Sequence, residues 1–120
     1  MARPKRDVGV TIMGFNEYQA ETDKTAIYPE NRAIEYLVLG LASEAGEVAG
    51  KLKKIIRDRE GVIGVHEAGV ICDEIGDVLW YISQIALELN TSLQDVADKN
   101  IAKLKSRQQR GVIGGSGDNR

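Results

Sequence analysis

The sequence predicts an all-α protein, an antiparallel four-helix-type bundle with a short N-terminal helix. Three observations carry this expectation. Strong helix formers dominate the middle of the 120-residue chain, where β-branched runs are few. Apolar residues there recur at spacings of three and four, the period of a helix with one buried face. Prolines number only two, aromatic residues make up 5%, and turn dipeptides are scarce between the breaks.

Each element follows in order. Residues 1–12 read as a flexible basic arm carrying Arg3, Lys5 and Arg6; no apolar run or cleavage site follows, so the arm is not a secretory signal. A short helix is expected from about Phe15 to Lys24. Tyr28-Pro29 breaks it off, because the residue before proline is pushed out of helical geometry. A long helix follows from about Asn31 to Arg59, with Ile34, Leu37, Val38, Leu41, Ala45, Val48, Leu52, Ile55 and Ile56 in one stripe. Gly61-Val62-Ile63-Gly64 ends it. A third helix spans about His66 to Leu89, its stripe made of Ala68, Ile71, Cys72, Ile75, Val78, Leu79, Ile82, Ile85, Ala86 and Leu89. Cys72 on that stripe reads as a small buried hydrophobe. Asn90-Thr91-Ser92 is a stop and restart, with Thr91 and Gln94 or Ser92 and Asp95 as the capping box. The fourth helix runs to about Arg110, with Leu93, Val96, Ala97, Ile101 and Leu104 inward. The domain therefore covers 13–110, and the glycine-rich segment 111–120 reads as a disordered tail.

Composition narrows the function classes. Hydrophobic residues at 42% and charged residues at 28% are a globular balance. A single cysteine excludes a disulfide framework and an all-cysteine zinc site. A net charge of −2 argues against a nucleic-acid partner. No stretch nears the ~20 apolar residues of a membrane span, so no membrane partner is expected and the protein reads as soluble and cytoplasmic.

The chemistry sits on the two long helices. One carries Ser43-Glu44-Ala45-Gly46-Glu47, the other Asp73-Glu74-Ile75-Gly76-Asp77. Carboxylates at i and i+3 are neighbours on a helix surface. By helical rise, Glu47 lies ~18 Å from the end of its helix and Glu74 and Asp77 ~12–16 Å from the start of theirs. In an antiparallel pair the acids meet at similar height. Four carboxylates between two helices repel at ~4 kcal/mol per close pair at an effective dielectric of ~20. A hard divalent cation removes that conflict, and oxygen-only ligands point to magnesium, manganese or calcium. A di-iron site is disfavoured, since His66 is the only histidine. Gly46 and Gly76 cost ~1 kcal/mol each in helix interiors, which suggests that backbone or ligand approaches there. Asp77 projects opposite its own apolar stripe, with Asp73 and Gln84, so it becomes a ligand only where that face is covered, as by a partner subunit. Lys51 and Lys54 lie on the same side as Glu44 and Glu47, within about 80° of arc. They either neutralise phosphate or, for Lys51, pair with Glu47 at i,i+4.

The segments EYLVLGLASEAGEVAGKLKK and DEIGDVLWYISQIALELNTSLQDVADKNIAKLKSR resemble the MazG-like nucleotide pyrophosphohydrolases of the all-α NTP pyrophosphatase superfamily. The family pattern, E-x-x-E then E-x-x-D, is met by Glu44, Glu47, Glu74 and Asp77. The resemblance implies hydrolysis of a nucleoside triphosphate between its α and β phosphates, with magnesium, or manganese in its place, on those four acids. It makes Glu47 the candidate to orient or deprotonate the attacking water. It implies Lys51, Lys54, Lys103 and Arg107 as phosphate contacts. Tyr81, Asn100 and Gln19 become nucleotide contacts, with Phe15, Tyr18 and Gln19 closing the pocket from the first helix and Gln19 or Asn16 meeting the base. It also implies a homodimer or homotetramer. The competing reading is a non-catalytic helical metal-binding or interaction module.

Overall fold

The computed structural model describes residues 13–120; the basic arm expected at 1–12 lies outside them. The described residues form four helices and no strand: α1 (Phe15–Asp23), α2 (Ala33–Arg59), α3 (Val65–Glu88) and α4 (Leu93–Gln109). Pro29, with φ fixed near its ring value at −64°, opens a single 3-10 turn over Glu30–Arg32, and α2 begins behind that turn. The expected start at Asn31 therefore falls in the tighter turn. At the far end of α2, Glu60 and Gly61 take positive φ (53° and 77°), and the Gly61 N–H returns to the Ile55 carbonyl at 3.1 Å. Ser92 caps α4, its Oγ accepting from the Asp95 N–H at 3.0 Å, so the second of the two capping registers is the one formed.

The α2–α3 hairpin is the body of the molecule, and α1 lies across α3 and the start of α4. The apolar core is small: Ala33, Leu37 and Ile55 from α2, Ala86 from α3 and Leu93 from α4. Much of the expected inner stripe is open. Ile34, Val38, Leu52 and Ile56 of α2, Ile75 of α3, and Val96, Ile101 and Leu104 of α4 are exposed. Cys72, expected inside, is exposed as well. The reason is shape. α4 touches α1 and α3 but not α2, and the radius of gyration is 17.2 Å, where a compact chain of this length has about 13–14 Å.

What locks α1 to the hairpin is polar. Gln19, Thr22, Ser83 and Gln84 are buried, Ser83 and Gln84 completely. Gln84 was expected on the open face of α3; α1 covers that face instead. The Gln84 amide donates to Thr22 Oγ1 at 2.9 Å, and the Thr22 hydroxyl donates to the Gln19 carbonyl at 2.7 Å. A hydroxyl has one proton, so the 2.7 Å contact between Thr22 and Ser83 is donated by Ser83. The Gln19 amide nitrogen donates to the Thr91 carbonyl at 3.1 Å and the Ser83 carbonyl at 3.4 Å. Its oxygen accepts from the Leu93 N–H at 3.2 Å, a first-turn donor of α4 that has no partner within its own helix. The Tyr28 hydroxyl stands 2.8 Å from both Gln84 Oε1 and Glu88 Oε1 and donates its one proton to either. Burial, then the Glu88 hydrogen bond and nearby negative charge, push its pKa up to about 12.

The glycine-rich segment after α4, expected as a loose tail, is described as turns drawn back on the helix end. The Val112 N–H reaches the Arg107 carbonyl at 2.9 Å, and the Arg110 guanidinium reaches the Arg120 carbonyl at 2.9 Å.

Candidate functional site

Antiparallel packing of α2 and α3 brings one oxygen each from Glu44, Glu74 and Asp77 within 4.8 Å of one another. Glu44 and Glu74 are half-buried and Asp77 is exposed. Partial burial first, then the negative charges of Asp77, Glu74 and Glu47, raise the Glu44 pKa. Three like charges converge, and among the described residues one cation pairs with them: Lys51 Nζ stands 3.8 Å from Glu74 Oε1. Lys51 thus bridges the helices, where an i,i+4 pair with Glu47 was the alternative. All-oxygen donors of one sign, partly desolvated, fit a hard divalent cation. Glu47 is exposed and stands outside the group of three, close enough for its charge to act on Glu44.

A cavity of about 360 Å³ opens on these acids, lined by Glu44, Asp77, Thr25, Trp80 and Tyr81. Its aromatic wall is fixed in place. The Trp80 indole N–H donates to Thr25 Oγ1 at 2.8 Å. Tyr81 stands edge-on to Trp80 with centroids 5.1 Å apart. The Tyr81 ring lies on Gly40, where any Cβ would overlap it. Burial, then the Tyr36 hydroxyl and the charges of Glu44 and Asp77, raise the Tyr81 pKa. A more apolar cavity of about 470 Å³ lies between Phe15, Tyr18, Leu79 and Gln94. Burial first, then the Asp77 charge, raises the Tyr18 pKa, which sets this cavity near the same acids.

The other expected site residues are dispersed. Lys54 is exposed one turn beyond Lys51. Gln19 spends both ends of its amide in the seam under α4, so it has no group left for a base. Asn100, expected within the inner stripe, is exposed because α2 does not cover that side of α4. Lys103 and Arg107 are held by the tail: Asp118 Oδ1 lies 3.7 Å from Lys103 Nζ and 3.2 Å from Arg107 Nη2. Arg107 is buried, and its Nε has no hydrogen-bond partner among the described residues.

Thr25 and Gly40 were missed by sequence reasoning. Gly40 stands one turn before Glu44, and that spacing was a usable signal. Gly46 and Gly76, which did attract notice, face open space, since a Cβ on either would meet nothing within 4 Å.

Comparison with known proteins points one way. The family model described as the MazG nucleotide pyrophosphohydrolase domain matches residues 32–112, which takes in α2, α3 and α4. The Gene 37 protein of Mycobacterium phage L5 is 46% identical over 114 residues, covering 90% of this chain and 100% of the relative. No solved structure matches the chain.

Proposed function

Because this chain belongs to the MazG nucleotide pyrophosphohydrolase family, we propose that it hydrolyses a nucleoside triphosphate between the α and β phosphates. The products are a nucleoside monophosphate and pyrophosphate, and the role is sanitation or control of a nucleotide pool in the cytoplasm. The observation that carries this reading is the convergence of Glu44, Glu74 and Asp77 beside the aromatic wall of Trp80 and Tyr81.

Glu44, Glu74 and Asp77 would hold Mg²⁺, or Mn²⁺ in its place, with Glu47 as the fourth family acid. The cation supplies Lewis acidity at the α-phosphoryl group and lowers the pKa of water. Glu47, one turn from Glu44 and exposed, orients the attacking water and takes its proton. Tyr81 supports the nucleoside by stacking, an interaction worth ~1–3 kcal/mol. Lys51 and Lys54 neutralise the polyphosphate.

Asn100, Lys103 and Arg107 stand on a helix that does not reach α2 in this chain. We assign them to nucleotide contact within a homodimer or homotetramer. A second copy would cover the open apolar faces of α2 and α3 and bring another α4 to the acids.

The test is a panel of ribo- and deoxynucleoside triphosphates with Mg²⁺, resolving monophosphate, pyrophosphate and free phosphate, beside sedimentation of the same sample. Monophosphate with pyrophosphate, lost on chelation, is the expected result. Diphosphate with free phosphate would move the cleaved bond. No turnover by folded protein that binds Mg²⁺ would leave an interaction module.

A further inference from the structure

The far end of α4 hides one of its own charged groups. From Asp98 to Arg110 every residue is exposed except Arg107, which is 4% exposed. The helices packed on α4 are α1 and α3, but the partners of the Arg107 side chain among the described residues lie on the tail. Its Nη2 donates to Asp118 Oδ1 at 3.2 Å and stands 3.5 Å from the Asp118 carbonyl. Lys103, one turn earlier on the same face, holds its Nζ 3.7 Å from the same carboxylate oxygen. The tail thus takes water away from a guanidinium and satisfies it only in part, since Nε has no partner among the described residues.

The tail is shaped to make this contact. Gly111 and Gly117 take positive φ, 72° and 80°, and turn the chain back on α4. The Arg120 guanidinium closes the loop from within, donating to the carbonyls of Val112 at 3.2 Å, of Ile113 at 3.4 Å and of Gly117. The family match stops at residue 112, so Asp118 and Arg120 stand outside the matched domain. The Asp118 side chain is 88% exposed, so it grips the basic pair from one side only. A pair that open to water is screened and weak, and an anion of higher charge can displace it.

We infer that residues 113–120 are an autoinhibitory strap: the Asp118 carboxylate stands in for a phosphoryl oxygen between Lys103 and Arg107, and the strap must lift before that pair can meet a nucleotide. This rests on the proposed function for the role of Lys103 and Arg107. A guanidinium buried under the tail cannot touch a second anion, so closed strap and bound nucleotide exclude each other. Because the competitor is tethered, it is always at hand. The apparent Kd for nucleotide is the intrinsic one divided by the fraction of protein with the strap open. The acids on α2 and α3 are untouched by the tail, so the strap acts on KM and leaves kcat alone.

Steady-state kinetics on the full chain and two variants tests it. Asp118→Asn removes the charge and keeps the size. Arg120→Gln opens the loop without touching Lys103 or Arg107. In each, KM for a nucleoside triphosphate should fall about two- to fivefold, the span of an exposed ion pair, at unchanged kcat. A second readout needs no turnover. Backbone NMR relaxation of the wild-type chain, titrated with inorganic tripolyphosphate in chelator, should show residues 113–120 gaining fast motion as the anion binds. Unchanged KM in both variants, with a lower melting temperature, would make the tail a helix cap and overturn the strap. A tail that tripolyphosphate leaves rigid would overturn it too. The two readings fail separately. Turnover with unchanged KM removes the strap and keeps the hydrolase; release of the tail by tripolyphosphate without turnover of any nucleotide removes the hydrolase and keeps the displaceable contact.

Discussion

Two polar clusters lie between the helices of this protein, and they are built on opposite terms. In the seam under α1, Gln19, Thr22, Ser83 and Gln84 match donor to acceptor until the Thr22 hydroxyl has its full set of three hydrogen bonds. Nothing from outside is needed. Between α2 and α3, Glu44, Glu74 and Asp77 bring acceptors to acceptors, with Lys51 in partial answer among the described residues. A closed network specifies a packing, and an open one of a single sign asks for a ligand. The two clusters share α3, so Asp77 of the acidic cluster and Ser83 of the closed network stand six positions apart on one helix.

The contrast can be broken by mutation. The largest effect should come from Glu74→Gln. Turnover should fall by more than about 100-fold, the upper range for residues that merely support a metal ligand. Without metal, the same substitution should raise stability by some tenths of a kcal/mol through lost repulsion. Steady-state kinetics and urea melts in chelator measure the two halves. Gln19→Ala should do the reverse. It leaves the Leu93 N–H and the Thr91 carbonyl without the Gln19 side chain and should cost about 1–3 kcal/mol in urea unfolding. Gly40→Ala acts on the wall beside the acids. The new methyl group displaces Tyr81 from its seat, at about 1–3 kcal/mol for overpacking, and Trp80 fluorescence should report the shift.

A pH series sharpens the same comparison. The Glu44 pKa is raised in the folded protein, so the folded state holds that proton more tightly than the unfolded chain does. Its contribution to stability is present below the ordinary glutamate value of 4.5 and is lost as pH rises through the raised one. Metal-free protein should therefore lose stability over that window, and Mg²⁺ should restore it at neutral pH. Melting temperatures with and without chelator decide this. Gln19, Thr22, Ser83 and Gln84 carry no titratable group and should contribute no such slope. The smallest effect belongs to Cys72→Ser, exposed and in neither cluster, which should change stability by less than about 0.5 kcal/mol.

The helices and the acids were legible for the same reason: both are local patterns. Gly61, Tyr28-Pro29 and Ser92 punctuate the chain in ways that depend on a few residues of backbone. Glu44, Glu74 and Asp77 meet because two long helices joined by a short link leave little choice of register. Gln84 and Cys72 were misplaced because projection onto one helix assumes one core. α3 has two covered sides, and the second is covered by a nine-residue α1 with little amphipathic signal of its own. Asn100, Lys103 and Arg107 depend on where α4 travels after Leu93, and no periodicity within α4 encodes that direction.

Gln19 has a mechanical consequence. Its amide is bolted to Thr91 and Leu93, the residues on either side of the α4 cap, so it serves as a pivot under a rigid arm. Arg107 lies ~21 Å along that arm, so a tilt of about 10° at the pivot would sweep its guanidinium through about 4 Å. The positive end of α4 is therefore steered from its far end. Gln19 thus anchors the near end of the arm, while Asp118 holds Lys103 and Arg107 at the far end.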